Sequence, residues 1–171
     1  MKNLISSWYA PLHDTFIDAL PNFLRHFDAM PPTLAHGDYH LENLMFSAEG
    51  QNAPVILDWQ ITMHATAVLD LGFFLSQSLT PEDQRTYTDR LLTIYHQCLV
   101  QGGIADFPLA QLRQAYRLLC LFGLVYPLNS GPILDSSRPR SIEMLKVRLT
   151  RAWSGIEDLD SFGLLARLHL A

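Results

Sequence analysis

Lysine is scarce in this chain, and no cluster of basic residues is present. Lys2 and Lys146 are the only lysines among 171 residues, and the formal net charge is -5. A protein that holds nucleic acid through its phosphates needs clustered lysine and arginine. We therefore expect no nucleic-acid partner.

Long hydrophobic runs and clustered cysteines are also missing. The longest nearly unbroken apolar run, 118–128, contains Pro127 and is shorter than the roughly 20 residues that cross a bilayer. The first residues carry one lysine and no long apolar stretch, so no signal peptide is expected. Cys98 and Cys120 form no zinc-ligand pattern and are expected to be buried thiols in a reducing compartment. We expect a soluble, cytoplasmic protein with no membrane partner.

The composition that remains is that of a globular protein. Hydrophobic residues make up 49% and charged residues 17% of the chain, which excludes a disordered protein. No repeat, low-complexity tract or linker divides the sequence. A single domain over residues 1–171 is therefore expected.

The spacing of apolar residues predicts short strands in the first third and helices elsewhere. Thr33–His36, Leu44–Phe46 and Val55–Leu57 are strand candidates that flank two polar loops. The first thirty residues have helical spacing, as does the remainder of the chain over 68–171. The predicted fold is mainly α with a small β-hairpin (α+β). The later predicted helices cover 68–77, Thr80 to Gly102, Asp106 to about Tyr126, Ser141–Trp153 and Ser161–Leu168.

The polar residues that suggest chemistry lie in those two loops. Asp38 and Asn43 are five residues apart, and Asp58 follows Asn43 by fifteen. An aspartate can accept the proton of an attacking hydroxyl, while asparagine and aspartate oxygens are ligands that Mg²⁺ prefers. The pattern therefore suggests an oxygen-rich site for phosphoryl transfer.

Three segments carry a resemblance to a known family. The segment 36–43 fits the H-x-D-x-x-x-x-N catalytic loop of the protein-kinase superfamily in its H-G-D form, and 57–60 fits the I/L-D-W/F segment that replaces D-F-G. The segment 67–75, which contains Asp70-Leu71, is similar to the D-L-A-x-x-L helix start that follows. The chain thus resembles the aminoglycoside and choline kinase-like phosphotransferases over roughly residues 30–80.

The resemblance implies a role for the residues of the site. Asp38 would be the catalytic base, and Asn43 and Asp58 would bind Mg²⁺ and, through it, the phosphates of ATP. His40 stands where protein kinases place a lysine that faces the transferring phosphate, and it would make that contact more weakly.

Three further residues have supporting roles in this interpretation. His36 would pack or hydrogen-bond beneath the loop. Asp70 would brace the catalytic loop, with helix capping as the alternative. Trp59 is expected to pack in the core with other aromatic residues, and not to form a platform for a ligand.

The lobe that holds the nucleotide in such enzymes has no counterpart in the sequence. No G-x-G-x-x-G segment occurs, Lys2 has no strand around it, and Lys146 lies in a late helix. We therefore expect a C-terminal lobe with the N-terminal lobe absent. The chain would be part of a split or longer enzyme, an inactive truncated fragment, or a binding or scaffold module of the same fold.

The expected reaction is transfer of the ATP γ-phosphate to a hydroxyl of a small molecule. The absence of an A-P-E motif after Asp58 favours a small acceptor over a protein. A metal-dependent phosphoesterase, suggested by Asp38-Tyr39-His40, would need later G-D and G-N-H-D/E segments that are not present. The exposed lobe interface should be partly apolar and should bind an N-lobe partner chain or a second copy of this chain.

Overall fold

The structure is a computed structural model that describes residues 18, 20–50, 53–66, 68–124 and 138–169. It is mainly helical with short antiparallel strand pairs, which confirms the predicted fold class. The elements in chain order are α1 (20–28), β1 (Pro32–Ala35), β2 (Leu44–Met45), β3 (Val55–Ile56), β4 (Met63–Thr66), α2 (Val68–Ser78), α3 (Pro81–Gln101), α4 (Leu109–Phe122), α5 (Pro139–Asp158) and α6 (Ser161–His169).

The strands form two separate antiparallel pairs. Strands β2 and β3 make the predicted hairpin, in which Leu44 lies opposite Ile56. Strands β1 and β4 pair from Pro32 opposite Thr66 to Ala35 opposite Met63. This second pair was not predicted, because β4 is only four residues long and only its last residue is buried. The two pairs bring the ends of both polar loops together.

Helix α4 is the centre of the helical body and packs against α2, α3, α5 and α6. Most of its second half is buried, so the helix is apolar around much of its circumference. Helix α2 approaches it closely at Gly72, where a Cβ atom would lie 2.9 Å from the Cβ of Leu119. Because α2 also carries Asp70 in its first turn, this contact sets the position of Asp70 against the core. The buried residues of α4 are Leu112, Ala115, Tyr116, Leu118, Leu119, Cys120 and Leu121.

Helix boundaries follow local signals in most places. The hydroxyl of Thr80 accepts the N–H of Asp83 (3.2 Å), and Pro81 opens α3 as predicted. Gly103, with φ +92°, follows its end. The prediction that α4 starts at Asp106 was wrong, because Pro108 occupies the N-cap in an extended conformation. The predicted end near Tyr126 was also wrong, because α4 ends at Phe122 with Gly123 as its C-cap. The predicted helix over 1–17 lies outside the described residues.

Two predictions of burial were wrong. Trp59 is 47% exposed, because it lies in a 3₁₀ turn (Trp59–Ile61) at the surface and donates its Nε1–H to the carbonyl oxygen of Ile56 at 3.0 Å. Cys98 lies on the exposed side of α3. Cys120 is buried as predicted, and burial raises its pKa to about 12. None of the helices in the described ranges is long and apolar enough to cross a membrane.

Candidate active site

The predicted catalytic loop leaves β1 through a glycine that the geometry requires. Gly37 has φ +85°, a conformation that L side chains rarely adopt. A Cβ atom there would lie 2.8 Å from the carbonyl oxygen of Ile61 and 3.1 Å from the Cε of Met63. Close approach of the loop to the segment before β4 therefore depends on this glycine.

The carboxylate of Asp70 holds the start of the loop. Its Oδ2 accepts the N–H of His36 (2.7 Å), and its Oδ1 accepts the N–H of Gly37 (2.9 Å). Hydrogen bonds from backbone N–H groups to a carboxylate are stronger than bonds between neutral groups. Burial raises the pKa of the Tyr95 phenol on α3, and the negative charge of Asp70 raises it further. One side chain thus connects the loop to the helical body.

The ring of His36 joins the two polar loops. Its Nε2 lies 2.7 Å from the carbonyl oxygen of Leu57, and its Nδ1 lies 3.2 Å from the N–H of Asp38. Since a carbonyl can only accept and an N–H can only donate, these contacts assign the ring proton to Nε2. The ring is 2% exposed and lies 4.8 Å from the Trp59 ring.

Asn43 lies against Asp38. Its Nδ2 donates to the Asp38 carbonyl oxygen (2.8 Å) and lies 3.4 Å from the Asp38 Oδ2. Because the amide nitrogen is used in this way, the Oδ1 of Asn43 is the atom left to bind a cation. The carboxylate of Asp38 is partly open to solvent, with 24% of its side chain exposed.

Asp58 directly follows Leu57, whose backbone is hydrogen-bonded to the predicted catalytic loop. The N–H of Leu57 donates to the carbonyl oxygen of Asn43 at 2.9 Å. Asp58 itself adopts the left-handed conformation (φ 61°, ψ 57°), which is uncommon outside glycine and is often found at functional positions. The strand pairing and this bond bring Asp58 next to the loop that carries Asn43.

The oxygens of Asn43 and Asp58 suit Mg²⁺. Magnesium commonly takes one or two protein oxygens and completes its octahedron with water and phosphate oxygens. Within the described parts of the chain, no cluster of three or more His, Cys, Asp or Glu side chains could hold a metal ion. Asn43 and Asp58 are the two residues here that could hold such an ion, with one side-chain oxygen donor group each.

His40 is 9% exposed and lies beside Asp38. Its Nε2 is 3.4 Å from the Oδ1 of Asp38, and its Nδ1 is 3.3 Å from the N–H of Glu42. The histidine thus starts the 3₁₀ turn Leu41–Asn43 as its N-cap. The structure brings His40, Asp38 and Asn43 together, and their chemical roles stay predictions.

Two residues near the site, Ser78 and Arg148, were not identified from the sequence. The hydroxyl of Ser78 accepts the N–H of Leu41 at 3.2 Å, and Arg148 on α5 reaches Glu42 with its NH2 group 3.4 Å from Oε2. No sequence signal connects residues this far apart along the chain. Ser78 could have been considered only because it ends the helix that carries Asp70.

The braced H-G-D loop and the turn at Asp58 lie together on a mainly helical body, as the resemblance to kinase-like proteins implies. The model of the ecdysteroid kinase-like family matches residues 8–104, which is more than half of the 171 residues. The chain belongs to the ecdysteroid kinase-like family. No curated protein and no solved structure matches it.

The family match covers both polar loops and Asp70, and it ends just after α3. It confirms the predicted resemblance at the level of a kinase-like family related to the choline kinase-like phosphotransferases. The helices after α3 lie outside the matched range.

Replacing Gly37 with alanine should distort the catalytic loop. The added Cβ would meet the Ile61 carbonyl oxygen, and we expect a loss of about 1–3 kcal/mol in the free energy of unfolding from overpacking, in addition to the cost of the positive φ. Gly50→Ala is the matched control, because Gly50 also has positive φ (+65°) but no atom within 4 Å of its Cβ position. Urea unfolding followed by circular dichroism measures both. Equal losses in the two variants would contradict the prediction.

Asp70→Asn should loosen the loop without a change in size. One acceptor oxygen is replaced by an NH₂ group that faces a backbone donor, so we expect a loss of about 1.5–3 kcal/mol. The control is Glu82→Gln, whose carboxylate also lies in the first turn of a helix, α3, and should contribute only about 0.3–1 kcal/mol. Thermal and urea unfolding give both values. A loss at Asp70 no larger than that at Glu82 would rule out the bracing role.

Proposed function

We propose that this chain forms the catalytic lobe of an ATP- and Mg²⁺-dependent phosphotransferase that acts on a hydroxyl group of a small molecule. The observation that supports it most is the loop 36–43. This loop is held by Asp70, carries Asp38 and Asn43 in contact, and is joined to the turn at Asp58. The family match spans all of these residues.

Asp38 is the proposed base. As the acceptor oxygen bonds to the γ-phosphorus, its proton passes to the Asp38 carboxylate, and the bond from phosphorus to the ADP oxygen breaks. Asn43 and His40 lie 3.4 Å from the two oxygens of that carboxylate and hold its orientation. Positioning of this kind and electrostatic stabilisation supply most of the catalysis in phosphoryl transfer.

Asn43 and Asp58 are the proposed magnesium ligands. When bound, Mg²⁺ would neutralise charge on the phosphate oxygens. The carbonyl oxygen of Asn43 and the carboxylate of Asp58 provide two hard oxygen donors from loops that hydrogen bonds hold together. The acceptor is proposed to be a hydroxyl-bearing small molecule, and the family's name makes an ecdysteroid the first one to assay.

The surface around the site carries exposed apolar side chains. Leu57 precedes Asp58, and Met45 and Phe46 follow shortly after Asn43 in the chain. They lie on the short strands and the adjoining turns, and each is individually exposed. The members of this apolar surface are Leu34, Leu41, Met45, Phe46, Val55, Leu57, Trp59, Ile61 and Met63.

The proposed occupant of the apolar surface is a nucleotide-holding lobe, on a partner chain or on a longer form of this chain. Leu57 and Met45 lie close to the proposed magnesium ligands in the chain, so the proposed occupant would lie over the phosphates. Such a lobe would provide a phosphate-binding lysine. Among the described residues of this chain, Lys146 is the single lysine, and it is exposed on α5, outside the two polar loops.

The first test is calorimetric titration of the full chain with Mg-ATP. We expect magnesium-dependent binding that weakens at least about tenfold, or about 1.4 kcal/mol, in Asp58→Asn and in Asn43→Ala. Asp106→Asn, at an exposed acid remote in sequence from both loops, is the control and should bind as the unaltered chain does. In the presence of a nucleotide-holding lobe, phosphate transfer by Asp38→Asn should be lower than that of the unaltered chain by about 10²–10⁴-fold. If nucleotide affinity is the same with and without magnesium and is unchanged in Asp58→Asn, the proposal is rejected in favour of a scaffold module.

A second test concerns the apolar surface. The probe is a separately expressed nucleotide-holding lobe from another ecdysteroid kinase-like protein, mixed with this chain in sedimentation velocity. Val55→Asp should weaken the complex at least about tenfold, since it places a charge in an apolar contact. Ile94→Asp is the matched control, because Ile94 is exposed on α3 (43%) and Val55 on β3 (61%). Failure of the lobe to bind, or formation of a dimer of this chain that Val55→Asp disrupts, would overturn the proposed occupant.

A further inference from the structure

Arg148 is a buried arginine that faces the catalytic loop. It lies on α5 with 8% of its surface exposed, and its NH2 group is 3.4 Å from the Oε2 of Glu42. The Glu42 side chain is 69% exposed. This contact places the positive charge of Arg148 beside the Glu42 carboxylate.

The same carboxylate lies near the ring of His40. The Oε2 of Glu42 is 3.8 Å from the Nδ1 of His40, while the Nε2 of that ring is 3.4 Å from the Oδ1 of Asp38. His40 is therefore placed between two carboxylates, one at each ring nitrogen. A neutral imidazole has a single ring proton, so only one carboxylate can receive a hydrogen bond from it.

The backbone favours one of the two arrangements. The N–H of Glu42 donates to Nδ1 of His40 at 3.3 Å, which requires that this nitrogen carries no proton. The amide of Asn43 lies 3.5 Å from Nε2, but its hydrogens are directed to the carbonyl oxygen and carboxylate of Asp38 at 2.8 and 3.4 Å. The ring proton is thus on Nε2, where it faces Asp38.

We infer that Arg148 and Glu42 are positioning residues that keep the ring proton of His40 on Nε2, the ring nitrogen that lies 3.4 Å from the Oδ1 of Asp38. Arg148 holds the Glu42 carboxylate beyond hydrogen-bonding distance of Nδ1 and offsets its negative charge. Without Arg148, Glu42 can turn towards Nδ1, accept the ring proton there and leave the nitrogen beside Asp38 without a proton. The effect of this arrangement on catalysis by Asp38 rests on the proposed function. The position of the His40 ring proton does not depend on it.

The experiment is ¹⁵N NMR of the histidine rings in the full chain at alkaline pH, where imidazoles are neutral. His40→Gln identifies the resonances of His40. We expect the unaltered chain to show His40 protonated on Nε2, and Arg148→Met, which removes the charge and keeps an unbranched side chain, to show a majority protonated on Nδ1. Arg148→Lys should retain the Nε2 form.

Two controls separate this effect from a general loss of structure. Adding Glu42→Ala to Arg148→Met should return His40 to the Nε2 form, because the competing carboxylate is gone. Arg113→Met, which removes an exposed arginine paired with Asp89 at 2.7 Å on α3, should leave the spectrum unchanged. Neither result is expected if Arg148 acts only by stabilising the fold.

The inference is overturned if His40 in the unaltered chain is mainly protonated on Nδ1, or if folded Arg148→Met keeps the Nε2 form. The first measurement needs no variant that alters the Arg148 contact, so it decides even if Arg148→Met does not fold. Because the spectra need no nucleotide and no turnover, a chain that fails to bind Mg-ATP but shows the expected spectra would refute the proposed function and support this inference.

Discussion

The two hydrogen bonds that Asp70 accepts from the N–H groups of His36 and Gly37 determine where the candidate site can lie. They connect the end of a short, mostly exposed strand to the first turn of α2, which is packed against the central helix at Gly72. Strand pairs this short are marginal by themselves. The start of the loop therefore takes its geometry from the helical body through this carboxylate, while Ser78 and Arg148 contact the loop further along.

A second link carries this geometry to the other loop. Leu57 uses both of its backbone groups, with its N–H donating to Asn43 and its carbonyl oxygen accepting from His36. The residue that follows is Asp58, in a left-handed conformation. As a result, the proposed base and the proposed magnesium ligands share one connected set of hydrogen bonds, and the loss of any one bond would affect more than one of them.

Local rules predicted the parts of this structure that depend on near neighbours in the chain. Thr80 and Pro81 mark the start of α3, and the turn formers between β2 and β3 mark the hairpin. The prediction failed where distant segments decide the outcome. Strand β4 is too short and too exposed to be recognised alone, and its pairing is with the distant strand β1. Trp59 is exposed because its turn lies at the surface. The contact between Arg148 and Glu42 joins residues that only folding brings together, so no spacing in the sequence could have indicated it.

The turn between β2 and β3 is a position where a label can be attached. Gly50 has open space beside it, since a Cβ atom there would meet nothing within 4 Å. The opposite end of the hairpin carries Asn43 and Leu57. Exposed tips of this kind tolerate insertions and attached groups. A spectroscopic label or a fused peptide at residue 50 would therefore be joined to the site by two short strands, and would report on movements of the site without occupying it.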